Sequence, residues 1–305
     1  SRNSTYRTSP KRPHLEKKLM NWFEKMKSGL KTRIKREVPN GIWVKCKQCN
    51  HSNYDMELER NYWICANCRF HLPYSTQQYI DLLVDQNTFT EINKNVAPID
   101  PLSFKGYRDK IKDGNRKSNS KESVLTGMGR IGGHSVALGI MDTRYLMGTL
   151  GSATGEKICR LIDKAIDSRC SLVLICKSGG ARMQESSYSL MQMARISAKL
   201  HQLSSAGLPY ITIVTDPTYG GVTASFAMLG DIILAEPGSR IGFAGQNVIK
   251  QFLGGNAQLP NDFQIAESVV EHGFIDRIVE RKEMATEISK LIAILTNNKH
   301  KTSIT

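Results

Sequence analysis

The sequence has no uncharged run that is both long enough and free enough of glycine to span a bilayer, and no secretory signal is visible. A soluble chain is therefore expected. Acids are in deficit, 28 against 42 Lys and Arg, and the deficit is local: residues 1–37 hold 12 Lys and Arg against Glu16, Glu24 and Glu37, and so supply +9 of the net +14. Solvation is the ordinary use of such an arm, although its charge also suits nucleic acid, membrane phosphate or an acidic partner. Residues 1–13 lack acids and are rich in Ser, Thr, Arg and Lys, a composition faintly like a transit peptide, and the start at Ser1 without Met suits a cut or truncated terminus. Cysteines number seven, an odd count that argues against a disulfide framework and for a reducing compartment. Cys159, Cys170 and Cys176 fall inside apolar patterns and read as packing thiols.

The other four cysteines are ordered. Cys46-x2-Cys49 and Cys65-x2-Cys68 are separated by fifteen residues, the spacing of a ribbon in which two turns present four thiolates to one tetrahedral Zn2+. A shell filled by four sulfurs leaves no position for water, so the metal is expected to be structural. His51 and His71 read as surface residues beside it, and a redox dithiol pair is the rival reading.

Composition and periodicity divide the chain into a basic arm (1–41) with one amphipathic helix built on Leu19, Trp22, Phe23, Met26 and Leu30, a zinc ribbon (42–72), a helix opened by the Ser75-x-x-Gln78 capping box and followed by an exposed polar linker or lid (73–123), a body (124–298) and a tail (299–305). In the body, Val124–Ile131, a Gly132-Gly133 turn and His134–Met141 predict a hairpin. Gly127-x-Gly129-x-x-Gly132 matches a dinucleotide fingerprint by letter, but a strand follows it where a phosphate-binding helix is required. Beyond it, strands near 171–176, 210–215 and 231–235 alternate with helices near 158–166, 183–206 and 222–229; short strands at 241–244 and 276–279 and a helix near 284–295 follow, which makes the body α/β.

Two of these strands run into glycine pairs, Gly179-Gly180 and Gly220-Gly221, each before a helix. Free amides at a helix start stabilise negative oxygen, and glycine admits the oxygen closely. Two such turns predict two oxyanion holes, with these four glycines as catalytic donors in chemistry that passes through an enolate.

The stretches Ser178-Gly-Gly-Ala-Arg-Met-Gln-Glu185 and Thr215-Asp-Pro-Thr-Tyr-Gly-Gly-Val-Thr-Ala-Ser-Phe226, continued by Ala227–Asp231, Ala235-Glu-Pro237 and Ile241–Gly245 and preceded by the four-cysteine ribbon, resemble the carboxyltransferase β subunit of the multi-subunit acetyl-CoA carboxylase of bacteria and plastids. The resemblance covers roughly residues 41–295. It implies a crotonase-like spiral of β-β-α units and transfer of carboxylate from carboxybiotin on a carrier protein to acetyl-CoA, giving malonyl-CoA for fatty acid synthesis. Two oxyanions, the ureido oxygen of biotin and the thioester enolate oxygen, would occupy the two holes, with no assignment of which glycine pair serves which. No catalytic His or Cys dyad is visible or required.

The resemblance also implies an α2β2 assembly with a separate α subunit, with biotin carboxylase and the carrier protein as further partners in an ATP-binding complex. The plastid stroma is the expected location and the bacterial cytoplasm the alternative. Arg182, Gly148, Gly151 and Ser152 are candidate substrate contacts, with a structural ion pair as the equal alternative for Arg182, and Met147–Gly155 is one residue shorter than the family's glycine loop. Two other functions compete. The ribbon aromatics Trp43, Tyr54, Tyr62 and Trp63 with the basic arm would suit nucleic acid, and Glu185 would be the acid/base of a crotonase-type acyl-CoA hydratase or hydrolase.

Overall fold

The computed structural model describes residues 43–255, 258–260 and 262–297, so the helix expected near Leu19–Leu30 and the tail 299–305 lie outside the described residues. The ribbon is a hairpin of β1 (Trp43–Lys45) and β2 (Ser52–Tyr54) followed by the short helix α1 (Asp55–Arg60). α2 (Thr76–Leu83) opens with the expected capping box: Ser75 Oγ accepts from the Gln78 amide at 3.2 Å, and the Gln78 side chain accepts from the Ser75 amide at 2.8 Å.

The predicted hairpin is present as β4 (Val124–Ile131) and β5 (His134–Met141), turning at Gly132-Gly133 with Ile131 opposite His134. β3 (Thr90–Ile92) adds to its outer edge. From β5 the sheet becomes parallel, through α4 (Ser152–Asp167), β6 (Ser171–Ser178), α5 (Ser187–Ser205), β7 (Tyr210–Tyr219), β8 (Ile232–Ala235) and β10 (Arg277–Ile278), in the order β10-β8-β7-β6-β5-β4-β3. Alternation along β6 explains the layering. Leu172, Leu174 and Cys176 face a core under α4 and α5, while Val173 and Ile175 face a second core under α2 and the closing helix α9 (Arg281–Asn297). Cys159, Cys170 and Cys176 are buried, as their patterns require.

Three segments differ from the sequence expectation. Residues 105–123 are not an exposed linker: α3 (Tyr107–Ser118) packs there, with Tyr107, Gly114 and Ser118 buried and Glu122 and Ser123 fully covered. Its inward face is polar or side-chain-free, Gly114 lying against the Tyr145 ring, so apolar periodicity could not reveal it. The helix expected over 222–229 is one turn, α6 (Gly220–Thr223), followed by a 3₁₀ turn at Phe226–Met228. The helix expected from 183 starts as a 3₁₀ turn at Met183–Glu185, and Ser186 at φ 46° separates it from α5.

One buried ion pair joins ribbon to body. Arg281 meets Glu236 through two bonds of 2.7 and 2.8 Å, and its remaining donors reach the carbonyls of Tyr62 and Leu72, each at 3.0 Å. Tyr79 donates to the same carboxylate at 2.8 Å, and the Tyr74 ring lies 4.5 Å from the guanidinium carbon. Burial works to raise the Glu236 pKa, but the charge and hydrogen bonds of Arg281, helped by His71 and Tyr79, prevail and hold it at about 2. His71 is not a surface residue, for it is buried with Nδ1 3.1 Å from the Pro237 carbonyl.

A carboxylate with a depressed folded pKa stabilises the fold above its unfolded pKa of about 4.3, and that contribution fades as pH falls toward about 2. Glu236→Gln should therefore cost about 3–5 kcal/mol near neutrality, because Arg281 is left buried without its counter-charge. In urea unfolding at a series of pH values, the gap between variant and parent should narrow below pH 4; a gap constant from pH 7 to pH 3 would contradict this account.

Candidate functional site

The site is built where β6 and β7 outrun the main sheet. Their register shifts between Cys176 and Ser178, and the Cys176 carbonyl accepts instead from the hydroxyls of Thr215 at 3.0 Å and Thr218 at 2.9 Å. Beyond the shift β7 pairs with β9 (Ile241–Gly242), and both strands end in their glycine pairs. The two turns touch. A Cβ built on Gly220 would stand 3.1 Å from the Gly180 Cα, and one on Gly180 would stand 3.4 Å from the Gly220 Cα. Both residues have left-handed φ, 114° at Gly180 and 60° at Gly220, so glycine is required twice over.

This contact corrects the expectation of two separate holes. The Gly179 amide already donates to the Met147 carbonyl at 2.8 Å and the Gly180 amide to Ser178 Oγ at 3.0 Å, so neither is free for a ligand. Among the described residues, no intramolecular acceptor is hydrogen-bonded to the next amide on that turn, Ala181, or to Gly221. A Cβ on Gly221 would lie 3.7 Å from the Ala181 nitrogen, and one on Gly180 3.7 Å from the Gly221 nitrogen. The turns therefore bring one pair of amides together, Ala181 with Gly221, drawn one from each glycine motif. The sequence pattern marks the glycines, whereas the amide a turn presents belongs to the residue that leaves it, so Ala181 carries no signal of its own.

The four candidate substrate contacts have other employment. Arg182 is fully buried and paired with Glu122 and Glu185, so its guanidinium is closed to any ligand. Gly148, at φ 67°, is buried where a side chain would collide with the Lys177 carbonyl, and a Cβ on buried Gly151 would strike the Arg182 guanidinium. The Ser152 amide, at the start of α4, donates to Glu185 Oε2 at 2.6 Å, so an internal carboxylate fills that helix terminus. Glu185 itself is fully buried, which removes it as a hydratase acid/base.

In the ribbon, Cys46, Cys49, Cys65 and Cys68 bring their sulfurs within 4.8 Å of one another. The two turns are built alike: the amides of Cys46 and Cys65 donate to the carbonyls of His51 and Phe70, and the fifth residue of each, Asn50 and Arg69, takes φ 59° and 60°. Separations of 3.6 Å for Cys46–Cys68 and 3.7 Å for Cys49–Cys65 are close to the edge of about 3.8 Å that metal–sulfur bonds of about 2.3 Å give in a tetrahedron. The residues present fit a metal ion. Trp63 packs against this cluster while Trp43 is exposed, so the ribbon aromatics do not form one stacking face.

Gly133 provides an internal control for the backbone contact, since it too is left-handed, at φ 83°, but has nothing within 4 Å of an added Cβ. Gly133→Ala should cost about 1–2 kcal/mol, the left-handed penalty alone. Gly220→Ala should cost at least about 1 kcal/mol more in urea denaturation, and equal losses would refute the close approach of the two turns.

A family model described as the carboxyl transferase domain matches residues 76–304. A protein of Clostridium novyi named acetyl-coenzyme A carboxylase carboxyl transferase subunit beta is 48% identical over 257 residues, 84% of this chain and 89% of that one. A Clostridium tetani protein named as subunits beta/alpha is 49% identical, and there the chain spans only 44% of the relative's length. Among solved structures, a transcarboxylase 12S with hydrolysed methylmalonyl-coenzyme A bound aligns over 72% of this chain and 40% of its own at a TM-score of 0.61 and 25% identity. The fold alone is shared with a Pseudomonas malonate decarboxylase hetero-tetramer, at a TM-score of 0.60 and 21% identity over 72% of this chain and 82% of that one. With its α/β body of crotonase-like type and its match to the family over most of its length, the chain belongs to the carboxyl transferase family, among the beta subunits of acetyl-CoA carboxylase.

Proposed function

We propose that this chain provides the acetyl-CoA side of a carboxyl transfer in which carboxylate passes from carboxybiotin to acetyl-CoA, giving malonyl-CoA for fatty acid synthesis. The observation that supports it is the meeting of the Ala181 and Gly221 amides where two glycine turns touch. Carboxybiotin, delivered on a carrier protein, supplies the carbon dioxide and, once that is released, the base. As the α-proton of the thioester leaves, charge moves onto its carbonyl oxygen, and two amides fixed beside that oxygen favour the enolate over the ground state. The enolate carbon then takes the carbon dioxide while the proton stays with biotin. No side chain of this chain has to accept a proton, in keeping with the enclosure of Glu185.

One amide pair serves one oxygen, so the hole for the ureido oxygen of biotin is assigned to a separate α subunit in an α2β2 assembly, with biotin carboxylase and the carrier protein completing the complex. Relatives named as joined beta/alpha subunits support this partner. So do exposed Phe243, Phe252 and Phe274, two of which border a cavity of about 900 Å³ that is also lined by Met228, Leu229 and Phe263. The relatives reported above are bacterial, and a bacterial cytoplasm suits them; a plastid stroma rests on the sequence resemblance alone. One structural Zn2+ is assigned to the four thiolates on the fit of their spacing.

The decisive experiment mixes the chain with the α subunit and carboxylated carrier protein and follows malonyl-CoA. Product is expected only with both subunits and acetyl-CoA present. Pro is tolerated in a first helical turn but has no N–H, so Gly221→Pro should lower kcat by about 10²–10³-fold, whereas Gly221→Ala, whose Cβ is crowded by the flexible Met193 side chain alone and otherwise makes ordinary contact with Ala181, should stay within about tenfold of the parent. Activity of the chain alone, or equal behaviour of the two variants, would sink the assignment. Zinc is expected at one ion per chain, and because two of the three tryptophans, Trp43 and Trp63, lie in the ribbon, a strong chelator should release it with a change in fluorescence. Failure to find stoichiometric metal would contradict the ribbon assignment.

A further inference from the structure

Arg182 lies at the centre of a densely bonded buried cluster near the amide pair, and two of its partners, Tyr107 and Glu122, come from a part of the chain far from either glycine motif. Nη1 donates to Glu122 Oε2 at 3.0 Å, to the Tyr107 hydroxyl at 3.2 Å and to Glu185 Oε1 at 3.3 Å. Nη2 donates to Glu122 Oε1 and, at 2.8 Å, to the carbonyl of Thr149, while Nε reaches Thr149 Oγ1 at 3.2 Å. Tyr107 closes the cluster by donating to Glu185 Oε1 at 2.5 Å. One arginine thus faces two carboxylates in a dry interior. The excess negative charge is met by the Ser152 amide at the start of the 16-residue helix α4.

The backbone of the same residues carries the consequence. The Arg182 amide donates to the Leu150 carbonyl at 2.8 Å, and the Leu150 amide donates to the Gly180 carbonyl at 2.9 Å, so Leu150 bonds on both sides of Ala181 and leaves the Ala181 amide pointing elsewhere. The loop that supplies this grip runs through two non-glycine residues in the strained left-handed conformation, Leu146 at φ 44° and Met147 at φ 58°, and the Met147 carbonyl fixes the Gly179 amide. Such a loop keeps its shape only if its surroundings over-determine it. The bonds from Arg182 to Thr149 do so.

We propose that Tyr107 and Glu122 are positioning residues of the carboxyl transfer: they touch no substrate, but by orienting Arg182 they hold the Thr149–Leu150 segment against the turn and so set the direction of the Ala181 amide. This rests on the function proposed above. Loss of the Tyr107 hydroxyl leaves Arg182 paired with Glu122 but frees one of its hinges; Glu122→Gln removes the bidentate carboxylate and leaves the cluster with one charge fewer.

The test uses the full chain assembled with its α subunit. Tyr107→Phe and Glu122→Gln should lower kcat and kcat/KM together by about 10- to 100-fold with KM for acetyl-CoA within about twofold of the parent, since an oxyanion donor displaced by up to about 1 Å is felt only in the transition state. Rates are expressed per folded chain, counted by circular dichroism, so that simple loss of fold cannot mimic the effect. In parallel, hydrogen exchange of the peptide covering residues 179–183 should quicken in both variants while that of the ribbon, residues 43–72, stays unchanged. Variants with parental kcat per folded chain, or with unaltered exchange at 179–183, would overturn the proposal. A parent assembly that makes no malonyl-CoA would instead refute the functional assignment, and the exchange result would still decide whether the cluster orders the turn.

Discussion

The site proposed for this chain depends on two backbones touching. At Gly180 and Gly220 the turns after β6 and β7 come so close that a methyl group on Gly220 would press on the Gly180 backbone at 3.1 Å, and both residues hold φ values that other residues adopt only at a cost. Parallel neighbours in one sheet normally end in turns that diverge toward their own helices. Here the register shift after Cys176, satisfied by the hydroxyls of Thr215 and Thr218, carries both strand ends out of the sheet together. The amide pair follows from that geometry rather than from any one catalytic side chain.

The body's architecture was legible because its signals are strong and local. The hairpin turning at Gly132-Gly133, the doubly buried β6 and the capping box at Ser75 each have a single physical cause that residue order displays directly. The site was legible only in part. Two glycine motifs could be read, but whether they form two pockets or one depends on a contact between residues forty apart in sequence, Gly180 and Gly220, which no local pattern encodes. The same limit explains α3 and the roles of Tyr107 and Glu122. Their segment is rich in Lys, Asn and Asp and looks solvated, because the few residues that turn inward do so to meet buried charge rather than to bury apolar surface.

Two arginines organise the interior in parallel ways. Arg182 binds the strained loop before α4 to the turn after β6, and Arg281 binds the ribbon to the end of β8. Each lies almost wholly out of water, each faces a carboxylate, and each also donates to a main-chain carbonyl of another segment. A guanidinium suits this task, since its rigid fork ties together groups that share neither strand nor helix. Neither carries a full message in the sequence: Arg182 sits beside glycines with nothing to name Glu122 as its partner, and Arg281 lies in the charged run Glu280–Glu283.

The mutual fit of Gly180 and Gly220 has a consequence for how the chain can vary. Each glycine is the other's wall, and the wall is tightest from Gly220, where an added Cβ would make the Gly180 backbone give way by a few tenths of an ångström. Two places forty residues apart are thus tied through main chain alone, and a side chain added at Gly220 would be felt first at Gly180.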